Sequence, residues 1–157
     1  KKVGVVAISL GGCYAPRIAS MEKRYKACVA WGACWDYHAQ WKKRVAASMK
    51  TELSVPGHHI LWVFNTKNYE DTFKKLEGFR LDGVVQNMKC PFLLTHGIDD
   101  KQVSTRDAKL LYNAVGSKDK TLKIFSVEEG GSQHCQRDNL SLGVTYISDW
   151  LKKILNP

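Results

Sequence analysis

The stretch Lys2-Val3-Gly4-Val5-Val6-Ala7-Ile8-Ser9-Leu10-Gly11-Gly12 decides the fold. From Lys2 to Ile8 it is a short apolar run bounded by a serine and two glycines, the pattern of a strand buried in a parallel sheet. From about Cys13 to Lys23, Tyr14, Ile18 and Met21 recur at helical spacing before the run ends in charged residues, so a helix follows the glycines. Ala27 to Trp31 then reads as a second strand, closed by Gly32. A sharp strand-to-helix turn crowds its own backbone, so the residues two before and two after Ser9 have to be small, and Ala7 and Gly11 are. The helix start also aims free N–H groups at anything bound to Ser9, beginning with the backbone N–H of Leu10 as an oxyanion donor. Ala7 stands where a strict G-x-S-x-G motif has glycine, and a glycine-rich turn without chemistry shares this pattern.

Working outward, Phe92 to Thr95, entered by Pro91 and left through His96-Gly97, is a third strand, and Leu122 to Val127 a fourth. Helices are expected at Thr105 to Val115 and Leu140 to Leu155. Strands alternating with helices give an α/β class with a parallel sheet and flanking helices. Residues 1–157 are read as one domain, within which 35–88, rich in Trp, Tyr and His, form a helical, lid-like insertion. In it Trp35, Trp41, Trp62 and Phe64 offer flat apolar surface for a substrate, although the same residues would serve equally well as core.

If Ser9 is a nucleophile, it needs a base and an acid to orient that base. Gly97-Ile98-Asp99-Asp100-Lys101-Gln102-Val103 follows the third strand directly, and Asp100 fits the G-x-x-D-x-x-V spacing. Asp99 is the alternative, and both could simply cap the next helix. His134 lies in Gly130-Gly131-Ser132-Gln133-His134-Cys135, a glycine-containing loop after the fourth strand. The order Ser9, Asp100, His134 is that of an α/β-hydrolase triad. His96 reads as structural, His58 and His59 lie in the insertion, and His38 has no evident partner.

The composition, 44% hydrophobic and 25% charged, is that of a soluble globular chain without a membrane span or signal peptide. Five cysteines without a Cys-x-x-Cys pair or a histidine at ligand spacing read as reduced core residues in the cytoplasm, with no metal and no cofactor. The net charge of +9 does not mark a nucleic-acid binder, because the positive residues are dispersed, Lys42-Lys43-Arg44 being the densest group.

The segments AISLGGCYAPR, VAWGACWDYHAQW, HHILWVF, LDGVVQNMKCPFLLTHGIDDKQV and LKIFSVEEGGSQHCQRDN, in that order, resemble the α/β-hydrolase family of the fungal heptaketide hydrolase of melanin synthesis and the bacterial dihydroxypseudooxynicotine hydrolase. The resemblance implies Ser9 as nucleophile, Asp100 as acid and His134 as base. The implied reaction cleaves a carbon–carbon bond next to a ketone in a polyketide-like small molecule. Ala7 and Cys13 depart from residues many relatives carry beside the nucleophile, and Asp36 is the candidate for an extra acid that some relatives take from the insertion. In the family several strands, a second oxyanion donor and a helical region precede the nucleophile strand. The chain is therefore expected to be the C-terminal half of such an enzyme, with the N-terminal part of the same protein as its partner. A homodimer is compatible with this reading. An esterase or aminopeptidase-like hydrolase, and a non-catalytic fragment or interaction partner, are the other function classes.

Overall fold

The structure is a computed structural model and describes residues 1–50 and 56–156. The described residues divide into two compact units, 1–35 with 81–156, and Asp36–Arg80.

The first unit holds a four-stranded parallel sheet in the order β1 (Val3–Ile8), β2 (Tyr25–Trp31), β3 (Phe92–Gly97), β4 (Lys120–Phe125). The helices α1 (Gly11–Met21), α5 (Thr105–Ala114) and α6 (Leu140–Leu155) pack along it. The central strands β2 and β3 are near-continuous apolar runs because helices cover both their faces: Ala27–Ala30 and all of β3 are buried. On one face Val29 and Leu93 meet Ile147 of α6, with Trp31, Tyr146, Trp150 and Leu151 packed around them. Alternation along the strands turns Cys28, Ala30 and Leu94 to the opposite face.

Strand β1 is not the buried strand its sequence suggests. Among the described residues nothing pairs with its outer edge, and Val3, Val6 and Ile8 are exposed, Ile8 by 50%. Exposed Tyr14, Ile18 and Met21 of α1 add further apolar surface. Strand β4 begins at Lys120 instead of Leu122, since its register is set by β3: Phe92 pairs with Lys120 and its N–H reaches the Asp119 carbonyl at 2.9 Å. Its lysines are tied down, Lys120 Nζ donating to the carbonyls of Tyr112 and Val115, and Lys123 pairing with Glu129.

The second unit is helical: α2 (Tyr37–Ser48), α3 (His59–Val63) and α4 (Tyr69–Leu76). Asp36 caps α2 by accepting the Ala39 N–H at 2.9 Å, and an isolated bridge from Asp36 to Arg80 joins the two ends of the unit. Asn68 caps α4, whose first turn carries Glu70 and Asp71 and whose last carries Lys74 and Lys75, each charge opposing the helix dipole. Residues 81–88, placed in the insertion by the sequence reading, belong to the sheet unit.

Candidate active site

In a parallel sheet every loop that follows a strand emerges at the same end, and the loops after β1, β3 and β4 carry Ser9, Asp100 and His134. Ser9 is held at φ +60, left-handed backbone that costs a residue with a Cβ about 1–2 kcal/mol. The turn needs small neighbours: a Cβ on Gly11 would lie 2.6 Å from the Ala7 Cβ. Behind Ser9, the Gly12 and Cys13 N–H groups bond to the Ser9 and Leu10 carbonyls. The Leu10 N–H, at the start of α1, has no place in the helix ladder and can face a developing anion.

Ser9 Oγ lies 2.7 Å from His134 Nε2, and His134 Nδ1 lies 2.7 Å from Asp100 Oδ2. For a neutral imidazole this geometry has Nδ1–H donating to the carboxylate and the serine hydroxyl donating to Nε2. Asp100 Oδ1 accepts the N–H groups of Gln102 (2.8 Å) and Val103 (2.9 Å), so both its oxygens are engaged. The Asp99 side chain is exposed, while its N–H donates to the Ser132 carbonyl at 2.8 Å and joins the acid loop to the histidine loop.

Burial opposes charge on this pair, yet the pair favours it. Burial raises the Asp100 pKa, but the hydrogen bond with His134 and the Val103 and Gln102 N–H groups overcome it and hold the carboxyl below its ordinary value. Burial lowers the His134 pKa, but Asp100 on one nitrogen and the Cys135 thiol beside the other outweigh it, raising the pKa to about 9. Three groups arranged this way can take a hydroxyl proton from Ser9, hold the resulting imidazolium beside a carboxylate, and return the proton.

Several residues support the three: His96, read from the sequence as structural, and others that the sequence reading did not assign a role. His96, fully buried, accepts the Ala33 N–H at Nδ1 (3.3 Å) and donates from Nε2 to the Val103 carbonyl (3.0 Å); burial lowers its pKa. Asp138 accepts the Ser132 and Gln133 N–H groups at 2.9 and 3.1 Å and so pins the loop entering His134. Asn139 caps α6 through the Leu142 N–H. Past His134, Cys135 and Gln136 both have left-handed backbone, φ +53 and +52. The Cys135 thiol donates to the Trp31 carbonyl at 3.3 Å and lies 3.5 Å from His134 Nε2. The signal for Asp138 and Asn139 was the DN of the EGG-x-x-H-x-x-x-DN tail; none marked Trp31 or Gln136.

The aromatic substrate candidates are divided. Trp35 is half-buried in the sheet unit, whereas Trp41, Trp62 and Phe64 belong to the helical unit. Trp41 is 2% exposed among Tyr37, His59 and Arg44; Trp62 is 79% exposed; Phe64 is half-buried, edge-on to Phe79. Asp36, the candidate extra acid, caps α2 and lies 3.7 Å from the Arg80 guanidinium. Among the described residues no group of three His, Cys, Asp or Glu side chains is placed to hold a metal ion, and no helix is long and apolar enough to cross a membrane.

No family model matches the chain. In sequence it is similar to the hydrolase acrC of Aspergillus aculeatus, 23% identical over 159 residues that cover 83% of the chain and 37% of the relative. In structure it is similar to 2,6-dihydroxy-pseudo-oxynicotine hydrolase, at 24% identity and TM-score 0.71, over 98% of the chain and 40% of that protein. It is also similar to the esterase Pf2001 of Pyrococcus furiosus (18% identity, TM-score 0.66, 99% of the chain and 55% of the esterase). Est1E of Butyrivibrio proteoclasticus, solved with ferulic acid bound, gives TM-score 0.66 at 14% identity, over 100% of the chain and 61% of Est1E. The chain thus spans about two fifths of the length of the first two relatives.

Proposed function

Starting from the α/β-hydrolase fold that the chain shares with these hydrolases and esterases, we propose that it carries the Ser-Asp-His machinery of a serine hydrolase that cleaves a carbon–carbon bond next to a ketone. The observation that supports this reading is the continuous chain of 2.7 Å contacts from Ser9 Oγ through His134 to Asp100, rooted in a left-handed serine turn. In the proposed reaction Ser9 Oγ adds to a ketone carbonyl as His134 Nε2 takes its proton, and the Leu10 N–H donates to the oxyanion. Collapse of the tetrahedral adduct breaks the bond to the adjacent carbon. That carbon leaves as an enolate, which His134 protonates, and water deprotonated by His134 then releases the acyl group as a carboxylate. The chemistry requires a second electron-withdrawing carbonyl on the leaving carbon, which a polyketide-like substrate provides, and the pathway class that fits is pigment or secondary-metabolite synthesis. A cytoplasmic setting suits five cysteines that form no disulfide.

Carboxylester hydrolysis is the second reading, favoured by the esterases among the structural neighbours. It uses the same residues and replaces the enolate by an alkoxide. The apolar groove of roughly 540 Å³ along β1, lined by Val6, Ile8, Leu10, Tyr14 and Trp31 among others, supports a further proposal. In the working enzyme, another segment of the same protein adds to the β1 edge and supplies the second oxyanion donor.

The test uses the intact protein. A fluorophosphonate should label Ser9, and Ser9→Ala should abolish both labelling and turnover of an acyl-naphthopyrone or β-diketone, a loss on the order of 10⁶-fold. Turnover of an acylated phenol with none of the diketone would establish the esterase reading. Turnover that survives in Ser9→Ala would overturn both.

A further inference from the structure

Trp31 closes β2, and two different parts of it reach the two loops that have to meet. Its carbonyl accepts the Ser9 N–H at 2.8 Å and the Cys135 thiol at 3.3 Å. Its indole Nε1–H donates to Gln136 Oε1 at 2.7 Å. One residue is therefore bonded to the backbone of the serine turn and to both residues that follow His134.

Those two residues are the ones in left-handed backbone, and neither is glycine. Such a pair persists only where its surroundings over-determine it. The surroundings here are built around the Gln136 side chain, which is fully buried. A Cβ on Gly131 would lie 3.0 Å from Gln136 Cγ, and one on Gly143 would lie 3.3 Å from Gln136 Oε1 and 3.0 Å from Trp31 Cζ2. The missing side chains at Gly131 and Gly143 thus leave the space that Gln136 and the indole occupy together. Since His134 is the first residue of this turn, rotating Cys135 and Gln136 back to ordinary backbone would swing the imidazole away from Ser9.

We propose that Trp31 is a positioning residue that, through Gln136 and Cys135, fixes His134 Nε2 against Ser9 Oγ. This inference rests on the Ser9–His134 reading above, and it adds a residue outside the three that handle protons. It accounts for a feature the triad alone leaves unexplained, a buried glutamine at strained backbone two residues past the histidine.

The rate at which a fluorophosphonate labels Ser9 in the intact protein reads this geometry. As the Oγ–P bond forms and fluoride leaves, His134 has to take the hydroxyl proton. Trp31→Phe keeps a ring and removes the donor; Gln136→Met keeps the length and removes the acceptor without touching the sheet, and carries the test if Trp31→Phe does not fold. Each should slow labelling, and lower kcat more than it changes KM, by about 10- to 100-fold, the scale of an ångström of misplacement. The double variant should be no slower than the slower single one, because both changes remove the same bond. Variants that melt at lower temperature but label at the wild-type rate, or singles whose effects multiply, would overturn the proposal. A wild-type protein that does not label at all would overturn the nucleophile reading and this inference with it, so the two failures are told apart by the wild-type control.

Discussion

At the loop end of the sheet, side chains from three loops are joined atom to atom. Ser9, His134 and Asp100 form one hydrogen-bonded line, and Asp138, His96 and Gln136 pin the backbone behind it. The helical unit Asp36–Arg80 is made differently. Besides its helix caps and local hydrogen bonds, its long side chains meet ring against ring, such as Trp41 on His59 and His38 on Phe73. Trp41 is buried between the Tyr37 and His59 rings, and Trp62 stands in solvent. Directional bonds fix positions to tenths of an ångström, whereas aromatic packing supplies area that tolerates shifts. Substitutions in the first region should therefore act on turnover, and substitutions in the second on binding or stability.

The sharpest way to break this comparison lies within the acid loop. Asp100→Asn removes the carboxylate that orients His134 and should lower kcat by a factor on the order of 10⁴, while Asp99→Asn, whose side chain is exposed, should change it less than about threefold. Steady-state kinetics of the two variants decide it. A crippled Asp99→Asn beside a mild Asp100→Asn would reverse the assignment.

A smaller effect concerns charge. Burial lowers the His134 pKa, and Asp100 and the Cys135 thiol together raise it by more, so Asp100→Asn should move the His134 titration, followed by NMR at the ring protons, to lower pH. The sign carries over to stability. A histidine whose folded pKa is raised contributes stability that is fully present below its unfolded value near 6.5 and is lost as pH rises through the folded value of about 9. Melting temperature measured across that window should fall with pH in the wild type and fall less in Asp100→Asn. An unshifted titration would mean that Asp100 does not govern the base.

The helical unit gives the smallest expected effect on turnover. Trp62→Ala, at a side chain 79% exposed, should alter stability by less than about 0.5 kcal/mol and, if the unit acts as a lid, raise KM several-fold with kcat unchanged. Trp41→Ala, at a buried position, should instead destabilise by about 3–5 kcal/mol. Thermal melting alongside kinetics separates the two. A Trp62→Ala protein that loses kcat and keeps KM would end the distinction between regions.

Much of this was legible in the sequence. The strand–turn–helix around Ser9 showed in an apolar run, two glycines and helical spacing, and the alternation of strands and helices showed the parallel sheet. The exposure of β1 was not legible, because an apolar run has the same composition whether a neighbouring strand covers it or not. Nor was the boundary of the helical unit: Leu81, Val85 and Met88 look like more of the same helical stretch, yet they are buried in the sheet unit.

By itself, then, the sequence determined the elements, their order and the residue types available to the site. These follow from periodicity and turn chemistry, which act between residues a few positions apart. Only the tertiary structure decided which groups meet. It set Ser9 against His134 across 125 positions, Asp100 and not Asp99 against that histidine, and Trp31 on Gln136 across 105. Hydrogen bonds over such separations depend on strand register and loop path, and no local pattern in the chain encodes either.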